Sequence, residues 1–279
     1  MSDQFLGSWL VSEYIYNPDG SFAGMVRQRR ELLQMANGRI RISQHCTPEA
    51  ALQNHPMGAF AGEWLFEMSV DGRYRRYHGP DVIGSGTTWG DGVMTGRGLW
   101  PRFGHNFRSF AILATPTRQL TGGSFYKATE MVANIVGVAV PEAEASDWPT
   151  LRENPELTTA NWRGTARTVL LDGTIENETQ ISRHYRPDGL NFEETSDERY
   201  LQVMMDGREN YLDVQVGKFT GLGKRYGPML QIEATTSIRQ DLEWLEIFDA
   251  ETNHLFSLRR RLQDGNLEKM EMVWLKGET

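Results

Sequence analysis

Eight dipeptides punctuate the chain: Asp19-Gly20, Asn37-Gly38, Asp71-Gly72, Asp91-Gly92, Asp172-Gly173, Asp188-Gly189, Asp206-Gly207 and Asp264-Gly265. Asp-Gly and Asn-Gly tolerate the positive φ values of type I′ turns, whose twist matches flanking antiparallel strands, so each reads as a hairpin turn. The flanking sequence alternates with period two. Arg39-Ile40-Arg41-Ile42-Ser43 puts both isoleucines on one face, and Ser8 to Tyr16 puts Trp9, Val11 and Ile15 on one face with Leu10, Tyr14 and Tyr16 on the other. Further strands are expected at Gly62 to Val70, Arg73 to His78 and Asn106 to Ala114. The fold class is therefore all-β, an up-and-down antiparallel barrel. One short helix is expected, with Thr47 as cap, Pro48 at the first helical position, Glu49 to Leu52 propagating and Pro56 closing it.

A seven-residue segment, Gly98-Leu99-Trp100-Pro101-Arg102-Phe103-Gly104, returns in degenerate form as Gly221-Leu222-Gly223-Lys224-Arg225-Tyr226-Gly227. Each copy is followed by an Arg-Gln pair, Arg118-Gln119 and Arg239-Gln240. This is read as an internal repeat. It divides the chain into a first β half at 1–140 with the ligand pocket, a Pro-rich acidic connector at 141–160, and a second β half at 161–279. One large barrel and two fused ones both satisfy the pattern. Gly122 to Val140 fits either a helix capped by Ser124, with Phe125, Ala128, Val132, Ile135 and Val136 as its stripe, or strands; the repeat alignment favours strands.

The 279 residues are 39% hydrophobic and 24% charged, enough for a sizeable core. Net charge is −8 with no long basic block, which argues against a nucleic-acid backbone as partner. The basic clusters Arg27 to Arg30 and Arg259-Arg260-Arg261 read as solvated strand faces or as partners of the many carboxylates. The longest apolar run, Met131 to Val140, falls far short of the ~20 residues a membrane helix requires, so no membrane span is expected. The N-terminal segment lacks a basic n-region and an apolar h-region, and the single cysteine, Cys46, cannot form an internal disulfide. A cytoplasmic location is expected, with self-association into a homo-oligomer left open.

Gly7-Ser8-Trp9 sits near the N-terminus on the first strand, and there it resembles the Gly-x-Trp motif of lipocalins and the wider calycin group. The resemblance covers little of the chain. It implies a barrel with an apolar pocket and an arginine from a late strand packed over Trp9, a role for Arg259, Arg260 or Arg261.

Candidate chemistry is sparse. Gly84-Ser85-Gly86-Thr87-Thr88-Trp89-Gly90-Asp91-Gly92 lacks the phosphate-loop and dinucleotide fingerprints, and its glycines fit strand bends or a pocket wall. His45, His55, His78, His105, His184 and His254 form no zinc spacing, so no metal and no other cofactor is expected. The richest constellation lies between Trp64 and Glu130. Trp64, Trp89, Trp100 and Tyr77 are the candidate ligand-binding residues. His105 or His78 is the candidate for proton transfer, Arg108 or Tyr126 for orienting the substrate, and Glu130 for further acid/base work. On a regular strand His105 and Arg108 point to opposite faces, so a bulge between them is needed for both to reach one pocket. The function expected is binding of an apolar small molecule in a barrel cavity, with cofactor-independent acid/base conversion of the isomerase, cyclase or lyase type. The alternative is a non-catalytic intracellular carrier.

Overall fold

Short polar turns return each strand beside the one before it, and in this chain the returns close on themselves twice. The computed structural model describes residues 5–90, 92–152, 159–197, 199–208 and 210–278. The first ten strands are β1 (Gly7–Tyr16), β2 (Phe22–Gln34), β3 (Ile40–Pro48), β4 (Gly62–Asp71), β5 (Tyr74–His78), β6 (Ile83–Trp89), β7 (Val93–Trp100), β8 (His105–Thr115), β9 (Arg118–Lys127) and β10 (Glu130–Pro141). The second ten are β11 (Asn161–Val169), β12 (Ile175–Tyr185), β13 (Phe192–Thr195), β14 (Tyr200–Arg208), β15 (Tyr211–Val216), β16 (Phe219–Tyr226), β17 (Met229–Thr235), β18 (Gln240–Asp249), β19 (His254–Gln263) and β20 (Asn266–Gly277). Each set forms a closed antiparallel barrel, sealed by β1 against β10 and by β11 against β20. Closure removes the unpaired edges that an open sheet presents. The two barrels fall in separate compact units, 1–150 and 151–279. No helix of the described residues is long and apolar enough to cross a membrane.

The expected strands lie within a residue of the observed β1, β4, β5 and β8. Gly122 to Val140 is two strands, the end of β9 and most of β10, joined by a turn at Ala128 and Thr129. All but two of the Asp-Gly and Asn-Gly dipeptides link consecutive strands. Asp91 lies outside the described residues, as do 153–158 of the expected connector. Asp206-Gly207 is the correction: it lies inside β14, where Gly207 faces Leu212 in register, and a Cβ on it falls 2.1 Å from the Tyr211 carbonyl oxygen. There the glycine serves a close approach between strands.

The expected helix is also corrected. Thr47 and Pro48 end β3, and the link to β4 holds two 3-10 turns, Ala50–Leu52 and Pro56–Phe60. Glu49 stands at the cap position of the first without a capping bond, its Oε2 accepting instead from Met25 N at 3.0 Å, while His55 Nδ1 accepts from Met57 N at the second. Too few residues lie between Pro48 and Pro56 for a stable α-helix.

The repeated segment falls on the end of β7 in the first barrel but on β16, the sixth strand, in the second. The halves share topology while the local likeness is displaced by one strand. Their interiors differ as well. The first core gathers Trp9, Val11, Ile15, Ile42, Trp64 and Met68, and the second Trp162, Phe192, Val203, Ile232 and Trp244. The Trp9 indole donates to the Phe5 carbonyl at 3.3 Å and the Trp162 indole to the Thr159 carbonyl at 2.9 Å. The arginine expected over Trp9 belongs instead to the other unit: Arg259 on β19 stacks on Trp244, with its guanidinium carbon 4.0 Å from the ring centre.

Candidate functional site

On β1 the inward positions run Trp9, Val11, Glu13 and Ile15, so a carboxylate interrupts an apolar face. On β2 they include Val26, Gln28, Arg30 and Leu32. These two strands place Glu13 and Arg30 in the wall of a cavity of about 180 Å3 inside the first barrel. An apolar cavity of about 150 Å3 is large enough for benzene, so the space suits a single ring or a short aliphatic chain. The rest of the wall is largely aromatic and aliphatic, with Phe66, Trp100, Phe107, Phe110 and Phe125 among its bulky groups.

The polar side is a connected network. Arg30 Nη2 donates to Glu13 Oε1 at 3.3 Å and Arg30 Nε to Gln28 Oε1 at 2.6 Å, while Gln28 Nε2 reaches Cys46 Sγ at 3.4 Å. Glu13 and Arg30 keep 17% and 16% of their side-chain surface accessible. Burial raises the proton affinity of Glu13, and the Arg30 charge opposes that only in part. Burial pushes the Cys46 thiol up to about 12, so it is a neutral wall group and not a thiolate nucleophile. The Tyr77 phenol, also pushed up to about 12 by burial, stays protonated as a donor. Its hydroxyl enters the space left by a cross-strand glycine pair, Gly86 and Gly96, where added Cβ atoms fall 3.0 and 3.2 Å from it. Thr121 borders the cavity too, and its buried hydroxyl has no hydrogen-bond partner among the described residues.

One end of this barrel is stoppered by aromatic rings. Phe60, carried in by the second 3-10 turn, lies within 5.4 Å (ring centres) of Trp100, Phe103 and Phe125. Trp64 joins this stopper, its indole bonded to the Phe60 carbonyl at 2.9 Å and its ring 5.6 Å from Trp100.

Of the sequence-derived candidates, Trp100 and Tyr77 line the cavity. Trp64 packs behind Trp100 in the stopper. Trp89 lies at the other end of β6, donating to Thr95 Oγ1 at 2.9 Å beneath the Arg73 guanidinium. His105 is half-buried beside Phe103 and outside the cavity wall, its proton affinity lowered by burial and then by Lys127. His78 is exposed and bonded to Ser69 Oγ at 2.9 Å. Arg108 and Glu130 are exposed, and Tyr126 is half-buried away from the wall. No bulge brings His105 and Arg108 together: β7 and β8 stay in register from Trp100–His105 through Arg97–Arg108.

Sequence reasoning missed Glu13, Arg30, Gln28 and Gln44. The signal for Glu13 was its place in the Trp9, Val11, Ile15 series. Arg30 was hidden within Arg27 to Arg30, of which Arg27 and Arg29 are exposed while Arg30 turns inward.

A wider groove of about 700 Å3 runs on the second barrel beside Asp188, Asp206 and Asp213. Asp188 there is committed to its own turn, accepting from the Leu190 and Asn191 amides. Among the described residues no three His, Cys, Asp or Glu side chains converge as a metal site.

No protein-family model matches the sequence, and no curated protein matches it. Solved structures do. A protein of unknown function from the DUF3598 family of Nostoc punctiforme PCC 73102 superposes with a TM-score of 0.66 at 13% identity, over 99% of this chain and 97% of that one. An S-type phycobiliprotein lyase from Guillardia theta aligns over 50% of this chain and 89% of its own, with a TM-score of 0.39 and 13% identity. At such identities the first likeness shows the two-barrel fold alone.

Proposed function

We propose that the first barrel binds a small, largely apolar molecule in its interior cavity, with the polar end of the ligand at Glu13 and Arg30. The observation that carries this reading is the ion pair itself. A charged pair facing an aromatic-lined cavity is desolvated without being covered, an arrangement that packing alone disfavours and a ligand group relieves. The unpartnered Thr121 hydroxyl supports the same reading. So does the lipocalin likeness of Gly7-Ser8-Trp9, since an apolar pocket is what that likeness implies.

The test is titration with toluene, benzyl alcohol and benzoate, followed by calorimetry and by the indole resonance of Trp100. Saturable binding of at least one probe is expected, with a dissociation constant on the order of 0.1 to 1 mM for so few atoms. Ala111→Trp, which fills the wall, should abolish it. Binding that survives Ala111→Trp, or no binding of any probe, rejects the reading.

Conversion of the ligand is the second reading, and Glu13 is what favours it. A carboxyl of raised proton affinity facing a cavity holds its proton more readily than an exposed one and can pass it to a bound molecule, as an isomerase, cyclase or lyase step requires. In this reading Glu13 takes the proton-transfer role expected of His105 or His78. Turnover lost by roughly 10²-fold or more in Glu13→Gln with affinity retained supports it; a ligand recovered unchanged after prolonged incubation leaves the protein a carrier.

A further inference from the structure

The second barrel repeats the geometry around Arg30 and completes it. Trp9 stands opposite Arg30, and Arg30 opposite Gln44, across β1, β2 and β3. Trp162 stands opposite Arg183, and Arg183 opposite Glu194, across β11, β12 and β13. The same row thus holds a neutral amide in the first barrel and a carboxylate in the second.

Arg183 makes four hydrogen bonds. It donates to Glu194 Oε2 from Nε at 3.1 Å and from Nη2 at 2.9 Å, to Glu246 Oε2 at 2.8 Å and to the Tyr185 hydroxyl at 2.9 Å. Arg30 makes two bonds, one to Gln28 and a long one to Glu13. A guanidinium has five N–H donors, so the remaining three have no partner among the described residues.

Building on the cavity reading above, we propose that the bound molecule carries a carboxylate, which takes at Arg30 the place that Glu194 takes at Arg183. Desolvating a carboxylate costs several kcal/mol and is recovered only where the geometry is forked and further donors stand by. Both conditions hold. The free edge of Arg30 offers the fork, and the Tyr77 hydroxyl and the Gln44 amide stand in the same wall. The ligand is then a one-ring or short-chain acid, its apolar body against Phe66, Phe107 and Trp100.

The experiment compares benzoate with benzyl alcohol and toluene by calorimetry at pH 7. Benzoate should bind at least about tenfold more tightly than either neutral probe, the worth of about one charge-assisted hydrogen bond. Arg30→Met should erase that preference while toluene still binds. Gln44→Glu, which supplies the carboxylate internally as the second barrel does, should weaken benzoate and spare toluene, and it keeps the test decisive where Arg30→Met does not fold. Equal or tighter binding of the neutral probes overturns the carboxylate assignment and leaves the cavity reading standing. Unchanged benzoate preference in Gln44→Glu also overturns it. Absence of binding by all three overturns both.

Discussion

Glu13 and Glu194 both point into a barrel beside an arginine, yet their proton affinities move in opposite directions. Burial raises both. Glu194 is met by three guanidinium groups, Arg259 at 2.7 Å, Arg183 at 2.9 Å and Arg199 at 3.0 Å, which together hold its carboxyl far below the usual range. Among the described residues Glu13 has only Arg30, at 3.3 Å, and burial wins. The contrast separates a carboxylate met by three guanidinium groups from one met, among the described residues, by a single guanidinium.

Glu194→Gln should therefore destabilise the second barrel by about 3 to 5 kcal/mol at pH 7, because Arg183 and Arg259 lose their shared counter-charge in a buried site. The pH dependence follows in sign. A carboxyl held below its unfolded value of about 4.3 contributes stability above that pH and loses it as pH falls toward the folded value. Denaturant unfolding of the parent and the variant should show a gap that is full at pH 7 and narrows below about pH 4. A gap that stays constant to pH 3 would mean that Glu194 is not the linked group.

Trp9→Ala and Trp162→Ala should each cost about 3 to 5 kcal/mol. Both indoles are almost fully buried at the start of the first strand of a barrel, and each also satisfies a backbone carbonyl. Urea unfolding measures this. A midpoint close to the parent for either variant would remove that tryptophan from the core.

His78→Gln and His105→Gln should leave probe binding within about twofold of the parent, as substitutions away from packed or paired features do. His78 is solvent-facing and His105 sits outside the cavity wall. Loss of binding in either variant would relocate the site toward the aromatic stopper.

What was legible in the sequence follows from periodicity. Turn dipeptides and alternation are local, so β1, β4, β5 and β8 could be placed to within a residue, and the all-β class with them. Inward charge is not local in that sense. Arg30 looks like one of three neighbouring arginines until the register of β1 and β2 turns it toward Glu13, and Arg259 looks solvated until β19 faces Glu194 across the barrel. Aromatic density drew attention to Trp64, Trp89 and Trp100, but bulk at strand ends here builds a stopper and a far-end cluster as well as a wall. Only Trp100 and Tyr77 line the cavity: Trp64 shares the inward face of β4 with Phe66 and Met68 but lies at the stoppered end, and Trp89 is set apart at the far end of β6.

The last prediction concerns Glu13 and couples pH to both stability and binding. A carboxyl whose folded proton affinity is raised contributes stability fully below its unfolded value of about 4.3 and loses it as pH rises through the folded value. Relative to Glu13→Gln, which keeps the shape of the protonated form, the parent should be most stable below about pH 4.3 and lose ground as the pH rises above it. The titratable groups facing Glu13 are Arg30 from β2, Cys46 from β3 and Tyr77 from β5, while Gly137 opposite it on β10 brings none. Cys46 and Tyr77, each pushed up to about 12 by burial, stay neutral as the pH rises from about 4.3 through neutrality, so the slope belongs to Glu13. A carboxylate arriving at Arg30 sets a second negative charge beside Glu13, and protonating Glu13 removes the repulsion. Benzoate binding should then take up as much as about one proton, visible as a binding heat that depends on the ionisation enthalpy of the buffer at pH 7. In Glu13→Gln the heat should be the same in every buffer. Buffer-independent heats in the parent would show that Glu13 keeps its charge state on binding, and would move the coupling, though not the carboxylate anchor, away from this residue.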